Sequence, residues 1–200
     1  MIVDCAHYKS GARQHEGPMS IADAASCASG GDGFVWVGIH DPTPEELDEI
    51  ASRFPLHDLS VEDARHVHQR AKIERYERHY FVVLRTAHYD EKRGEVVFGE
   101  IHIFAGRGFA ITLRHGSASE LSSARERLEA RPQLLESGPL SVVWAVLDKV
   151  VGGWQLAGSG SLRSTWFALP TGNWNFTGEP VQNYGYKYPI ENCTSGVCVP

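Results

Sequence analysis

The sequence lacks any long apolar run. No stretch among its 200 residues approaches the roughly 18 consecutive apolar residues that indicate a membrane-spanning helix. The first ten residues contain Asp4 and Lys9 and have no apolar core of the kind that a secretory signal peptide requires. These absences predict that the chain as given is soluble and crosses no bilayer.

Cysteines and catalytic sequence motifs are also scarce. The four cysteines form no pair of Cys-x-x-Cys motifs, which argues against a zinc ribbon. The first two, Cys5 and Cys27, are predicted to be reduced cytosolic thiols. No Gly-x-Ser-x-Gly motif is present, so the sequence gives no sign of a serine nucleophile on a strand-to-helix turn.

The net charge of −6 argues against a general nucleic-acid binder, which would usually be basic. Charged residues are unevenly distributed, because the 49 positions after Val151 contain only Arg163, Glu179, Lys187 and Glu191. We therefore predict a folded domain over residues 1–151. Residues 152–200 are predicted to form an irregular or disordered tail, a small hairpin, or the product of a shifted reading frame.

Apolar runs in the middle of the chain predict a β-sheet. Residues 34–39 (Phe-Val-Trp-Val-Gly-Ile) form a continuous apolar run, which is typical of a strand buried on both faces. Further strands are predicted at 72–76, 79–89, 95–105 and 109–114.

Helices are predicted on both sides of these strands. Thr43 is an N-cap candidate, Pro44 suits the first helical position, and Glu46 completes a capping box for a helix that ends before Pro55. Later in the chain, Ser117 and Glu120 suggest a second capping box.

Pro132 is predicted to stop that second helix, and a third is predicted over Leu140–Val151, with Val143, Val146, Leu147 and Val150 as its apolar residues. Together these elements predict an α/β layered domain with a central mixed β-sheet flanked by helices.

A polar segment, residues 55–74, joins the first of these helices to the central strands and is dense in charge and imidazole. Glu62 and Asp63 are adjacent carboxylates on a predicted short helical turn, so they point about 100° apart and do not chelate one ion together. Each could meet a different cation, one could face a neighbouring subunit, or both could face solvent. These residues are also compatible with a stand-alone soluble module, either an interaction domain or a metal-dependent hydrolase that uses His57, Asp63 and His68.

The histidines of the polar segment suggest zinc as a further hypothesis. His66 and His68 lie two residues apart, so their side chains diverge on a helix but share one face of a strand. His57 is the third imidazole in this group.

The polar segment resembles the signature of CorA-type magnesium transporters. Residues 56–64 (Leu-His-Asp-Leu-Ser-Val-Glu-Asp-Ala) and 68–74 (His-Gln-Arg-Ala-Lys-Ile-Glu) match His-Pro-Leu-x-Val/Leu-Glu-Asp followed by His-Gln-Arg-Pro-Lys. Asp58 and Ala71 stand where the family usually has proline. The likeness continues through residues 34–38 and 81–85 and covers about the first three quarters of the chain.

The resemblance implies a function. The chain would be the cytoplasmic regulatory domain of a homopentameric, channel-like transporter of Mg²⁺, also of Co²⁺ or Ni²⁺, in the cell membrane, and not an enzyme. The family's stalk helix, membrane spans and Gly-Met-Asn motif are not in this sequence, so the chain alone is expected to transport nothing.

The resemblance also implies a regulatory site for divalent cations at protomer boundaries. The carboxylates equivalent to those of the family are Glu62, Asp63 and Asp148. The remaining acidic partner of the family lies on the stalk helix, so these residues alone do not complete the site.

Overall fold

The protein is described by a computed structural model over residues 1–15, 17, 19–91, 93–118, 120–151, 193–194 and 197–198. The strands are β1 (Ile2–Lys9), β2 (Ala12–Arg13), β3 (Phe34–His40), β4 (Lys72–Arg75), β5 (His79–Asp90), β6 (Glu95–Gly106), β7 (Phe109–Gly116), β8 (Cys193–Thr194) and β9 (Val197–Cys198). The helices are α1 (Ile21–Ser29), α2 (Pro44–Arg53), α3 (Asp58–Arg65), α4 (Ser122–Glu129), α5 (Pro132–Leu135) and α6 (Leu140–Val151).

Seven strands form one mixed sheet in the order β2-β1-β3-β7-β6-β5-β4. The β3–β7 pair is parallel, and the other neighbouring strands are antiparallel. The long β5–β6 hairpin pairs from His79 opposite Gly106 to Asp90 opposite Glu95. This sheet with its flanking helices confirms the predicted α/β layered fold.

The sheet separates two hydrophobic cores, because successive side chains of a strand point to opposite faces. On β3, Val35, Val37 and Ile39 belong to one core, while Phe34 and Trp36 belong to the other. The first core includes buried residues of α1, α2 and α3, and the second includes those of α4, α5 and α6. We call these the α3 face and the α6 face.

The helix predicted after Thr43 forms as expected. The hydroxyl of Thr43 accepts a hydrogen bond from the backbone N–H of Glu46, and the Glu46 side chain accepts one from the backbone N–H of Thr43. This reciprocal pair satisfies two N–H groups that a helix start would otherwise leave without partners. Leu47 and Ile50, three residues apart on one side of the helix, are buried in the core of the α3 face.

The capping box predicted at Ser117 is wrong, because α4 begins at Ser122 and its N-cap, Leu121, makes no side-chain capping bond. The chain after β7 instead packs tightly against β6. A Cβ atom on Gly99 would lie 2.2 Å from the backbone nitrogen of Ala118, so the two segments touch through the missing side chain. Ala118 is buried by this contact, which keeps it out of the helix.

The structure adds two details about the later helices. Pro132 follows the end of α4 but starts the short helix α5, where proline at a first helical position has no hydrogen bond to lose. In α6 the fully buried apolar residues are Val142, Ala145 and Val146, while Val143 and Val150 pack partly buried against the same core. Because α6 is apolar on most sides, its sequence does not define one buried face.

The chain divides into two units, Met1–Gln155 and Leu156–Pro200. In the second unit, β8 pairs antiparallel with β9. The predicted irregular tail and the boundary at Val151 fall largely on residues 152–192, outside the described residues, and stay predictions. Within the described residues, no helix has both the length and the apolar content that crossing a membrane requires.

Candidate functional site

The polar segment contains the short helix that the sequence predicts. His57 is the N-cap of α3, and its Nδ1 accepts a hydrogen bond of 3.2 Å from the backbone N–H of Leu59. Val61 and Ala64 are buried in the core of the α3 face. Glu62 and Asp63 lie between these two buried residues, so α3 fixes the directions in which their side chains point.

Glu62 and Asp63 have different surroundings. Glu62 is exposed, and no side chain among the described residues pairs with its carboxylate. Asp63 is half-buried and accepts a hydrogen bond of 2.6 Å from Nζ of Lys72, which also lies 3.1 Å from Glu74. Burial alone would lower the pKa of Lys72, but its bonds to Asp63 and Glu74 outweigh burial and raise that pKa. A cation at Asp63 therefore competes with an ammonium group already in place.

Asp148 lies on α6 and is paired in a similar way. Nη1 of Arg127 is 2.9 Å from its carboxylate, and both side chains are close to half-exposed. Since α3 and α6 pack on opposite faces of the sheet, one copy of the chain does not bring Asp148 together with Glu62 and Asp63. No group of three His, Cys, Asp or Glu side chains within the described residues is arranged to hold a metal ion.

The three histidines of the zinc hypothesis make separate contacts. The His57 ring lies 4.7 Å from the ring of Tyr76. His66 donates through Nδ1 to the carbonyl oxygen of Glu62 at 2.9 Å. His68 is exposed and has a positive φ of 74°, in the left-handed region. These positions do not join His57 and His68 with Asp63 as the hydrolase alternative requires.

The structure contains a polar cluster that sequence reasoning missed, in which Glu100 and His102 are buried and His115 is partly buried. Nε2 of His102 lies 3.2 Å from Glu100, and the His102 and His115 rings are 4.7 Å apart. Among the described residues, Glu100 Oε1, His102 Nδ1 and His115 Nε2 have no hydrogen-bond partner. Buried polar atoms without a protein partner are few in native structures.

Burial has a clear electrostatic effect in this cluster. Loss of water contact, and then the neighbouring His115, lower the pKa of His102 to about 4, against the opposing effect of Glu100. Burial likewise lowers the pKa of His115. Both imidazoles are therefore neutral at pH 7.

The cluster also holds the polar segment in place. The backbone N–H of Gln69 donates to Glu100 Oε2 at 3.3 Å, so the second half of the segment is bound to β6. Glu100 and His102 alternate with Ile101 and Ile103, and this polar–apolar period was the sequence signal that could have placed the first two on one face of β6, although it does not predict their contact with His115.

A further buried histidine, His79, supports α3 itself. His79 at the start of β5 is hydrogen-bonded to the hydroxyl of Ser60 at 3.0 Å and stacks on Tyr76 with ring centres 5.1 Å apart. Burial, with a smaller contribution from His57, lowers the pKa of His79 to about 4. α3 therefore rests on a neutral imidazole.

The chain is similar to proteins of known family. The family described as CorA-like Mg2+ transporter protein matches residues 31–153, more than half of the chain. The magnesium transporter ALR1 of Saccharomyces cerevisiae is 25% identical over 122 residues, which are 60% of this chain and 14% of that protein. The cobalt/magnesium transport protein CorA of Thermotoga maritima is 26% identical over 97 residues, which are 47% of this chain and 27% of that protein. The match with YfjQ of Bacillus subtilis covers 36% of that protein. The chain therefore spans between 14% and 36% of the length of these three relatives.

Solved structures share the fold at low sequence identity. The full-length CmaX protein superposes with a TM-score of 0.55 at 14% identity, covering 74% of this chain and 45% of that one. The ZntB cytoplasmic domain from Vibrio parahaemolyticus gives a TM-score of 0.51 at 12% identity, covering 76% of this chain and 58% of that one. These likenesses support the fold assignment.

Proposed function

The chain belongs to the CorA-like Mg²⁺ transporter family, and on that premise we propose that residues 1–151 are the cytoplasmic regulatory domain of a Mg²⁺ and Co²⁺ transporter. The observation that carries this proposal is the family match over residues 31–153. The proposal includes a homopentamer in the cell membrane, with Ni²⁺ as a further transported ion. Membership in a transporter family confirms the expectation that the chain is not an enzyme.

The proposed regulatory site lies between two copies of the chain. Glu62 and Asp63 are on the α3 face and Asp148 is on the α6 face, so a shared ion has to bridge one copy's α3 face and its neighbour's α6 face. All three carboxylates remain at least partly accessible, which a bridging site needs. Mg²⁺ suits this arrangement, because it keeps several water ligands and is commonly held by one or two carboxylates.

The physical basis for gating would be a population shift. Carboxylates that face each other across a boundary repel, and a bound dication converts that repulsion into attraction. The ion favours the assembled, closed state only by its higher affinity for it, and loss of the ion lets the copies move apart. In each copy Lys72 and Arg127 already partner Asp63 and Asp148, so we expect binding in the millimolar range, on the order of weak oxygen-ligand sites.

The test is thermal unfolding of the full chain with and without millimolar Mg²⁺. Wild type should melt at a higher temperature when free Mg²⁺ exceeds its dissociation constant, and Asp63→Ala or Asp148→Ala should reduce that shift. Glu91→Ala, which removes an exposed carboxylate in the turn between β5 and β6, away from α3 and α6, is the matched control and should keep the shift. An unchanged shift in both aspartate variants would show that the site assignment is wrong.

Two further measurements separate this proposal from its alternatives. If micromolar Zn²⁺ gives the larger shift and His68→Ala removes it, the zinc hypothesis replaces the magnesium site. Sequencing the DNA after the codon for Val151 tests the transporter assignment itself. Another reading frame that encodes a stalk helix, apolar spans and Gly-Met-Asn would support it, and the lack of them in every frame would favour a stand-alone module.

A further inference from the structure

Three arginines on three different elements surround one cavity at an end of the sheet. Arg53 is the last residue of α2, Arg78 lies in the turn between β4 and β5, and Arg107 lies in the turn between β6 and β7. The cavity has a volume of about 650 Å³, and small-molecule sites are commonly about 300–1,000 Å³. We propose that this arginine cavity binds a phosphate-bearing anion with at least two negative charges.

Arg78 and Arg107 stand opposite each other with no counter-charge of their own. The β5–β6 pairing ends at His79 opposite Gly106, so Arg78 and Arg107 are the next opposed positions. Like charges at opposed positions of neighbouring strands repel. Within the described residues, neither guanidinium has an ion pair or a hydrogen bond. An anion between them would turn a repulsive pair into an attractive site.

The two turns that carry these arginines are anchored. The backbone N–H of Tyr76 donates to the carbonyl oxygen of His79 at 2.9 Å and closes the Arg78 turn. The carbonyl oxygen of Gly108, next to Arg107, accepts from the N–H of Val35 at 3.0 Å. The turns also touch, since a Cβ on Gly106 would lie 2.9 Å from the carbonyl oxygen of Arg78. Little backbone ordering therefore remains to oppose binding.

The charge balance of the cavity sets the charge of its ligand. Arg53 uses its Nε in a bond of 3.1 Å to Glu49, and because both side chains are well exposed this pair is weak. Glu77 is the single carboxylate among the lining residues, so three positive charges and one negative charge leave two positive. A dianionic phosphate balances that excess. The planar guanidinium fork also binds phosphate oxygens in pairs, which favours phosphate over a compact monovalent anion.

Isothermal titration of the full chain with inorganic pyrophosphate, at low salt and without divalent cations, tests the proposal. We expect saturable one-site binding, weakened about tenfold or more in Arg78→Gln/Arg107→Gln by the loss of charge-assisted bonds. The matched control is Arg70→Gln/Arg85→Gln, which removes the same charge from two exposed arginines outside this cavity and should keep the wild-type affinity. Circular dichroism of each variant verifies that it is folded.

A second arm identifies the source of the phosphate. The same proteins are sedimented with phosphatidylcholine vesicles that contain or lack phosphatidic acid. If the chain binds pyrophosphate, the ligand of the cavity is a free polyphosphate. If it binds only the vesicles that contain phosphatidic acid, the ligand is a lipid headgroup. Either conclusion requires that Arg78→Gln/Arg107→Gln weakens the binding. No binding in either arm, or equal weakening in the control variant, would overturn the proposal.

Discussion

Each face of the sheet buries a polar cluster, and the two clusters differ in how completely they are satisfied. On the α6 face, Arg125 donates to Asp4 at 3.1 Å and to the Tyr8 hydroxyl at 2.7 Å, and its guanidinium lies 3.9 Å from the centre of the Trp36 ring. On the α3 face, Glu100, His102 and His115 each keep one buried atom without a partner among the described residues. The polar segment lies on that second face.

The difference indicates that buried polar side chains have two different roles in this fold. A fully paired buried charge is a structural device, and removing one partner leaves the others desolvated and alone. A cluster with unpartnered atoms adds less stability. Its contribution to stability depends on pH, because burial lowers the pKa of its imidazoles and disfavours their protonation in the folded state. We therefore expect the α6 face to supply rigidity and the α3 face to be sensitive to its surroundings.

The largest effect is expected from breaking the paired cluster. Arg125→Met should lower the free energy of unfolding by roughly 2–3 kcal/mol, because the Tyr8 hydroxyl and the Trp36 ring lose the buried guanidinium, while Asp4 keeps its bonds to Arg13. Urea unfolding followed by circular dichroism measures the loss. Arg127→Met on the same helix removes an exposed pair and is the control. A loss below about 1 kcal/mol for Arg125→Met would mean that the cluster is not structural.

The second prediction concerns pH and the α3 face. The folded-state pKa of His102 is lowered to about 4, so between about pH 6.5 and pH 4 the unfolded chain binds more protons than the folded one. Stability should therefore fall as the pH drops, by about 2 kcal/mol from pH 7 to pH 5 for this one histidine. The free energy of unfolding of His102→Gln should fall correspondingly less over that range. An identical pH dependence in wild type and His102→Gln would contradict the assignment.

The third change should be smaller, although it removes a buried charge. Glu100→Gln keeps an oxygen that accepts from the backbone N–H of Gln69, and it removes the desolvated carboxylate charge. These effects oppose each other, so we expect a change below about 1 kcal/mol in the free energy of unfolding. A loss as large as that of Arg125→Met would erase the distinction between the two clusters.

The smallest effect is expected at the surface pair of the α6 face. Asp148→Asn breaks the ion pair with Arg127. The side chain of Asp148 is 39% exposed and that of Arg127 is 48% exposed. Such pairs contribute about 0–1 kcal/mol, so the metal-free melting temperature should hardly change. Thermal unfolding without Mg²⁺ measures it. A large drop would mean that Asp148 serves the fold, and its use as a metal ligand would then need another argument.

Local sequence signals predicted most of the fold. The capping box at Thr43 and the strand that begins at Phe34 depend on contacts within a few residues, and both formed as expected. The helix start predicted at Ser117 is wrong because the backbone at Ala118 packs directly against Gly99, a residue distant in sequence that has no side chain. The Glu100 cluster was missed for a related reason, since its members come from two strands and only their pairing brings them together.

The sequence by itself determined the family resemblance and the α/β layering, because these depend on residue type and short-range spacing, and the resemblance in turn implied the candidate carboxylates. The tertiary structure decided that Asp63 and Asp148 lie on opposite faces of the sheet and that each already has a basic partner. It also decided which polar residues are buried without partners and which arginines share a cavity. Those properties arise from pairings between distant segments, and side-chain period within one segment does not encode them.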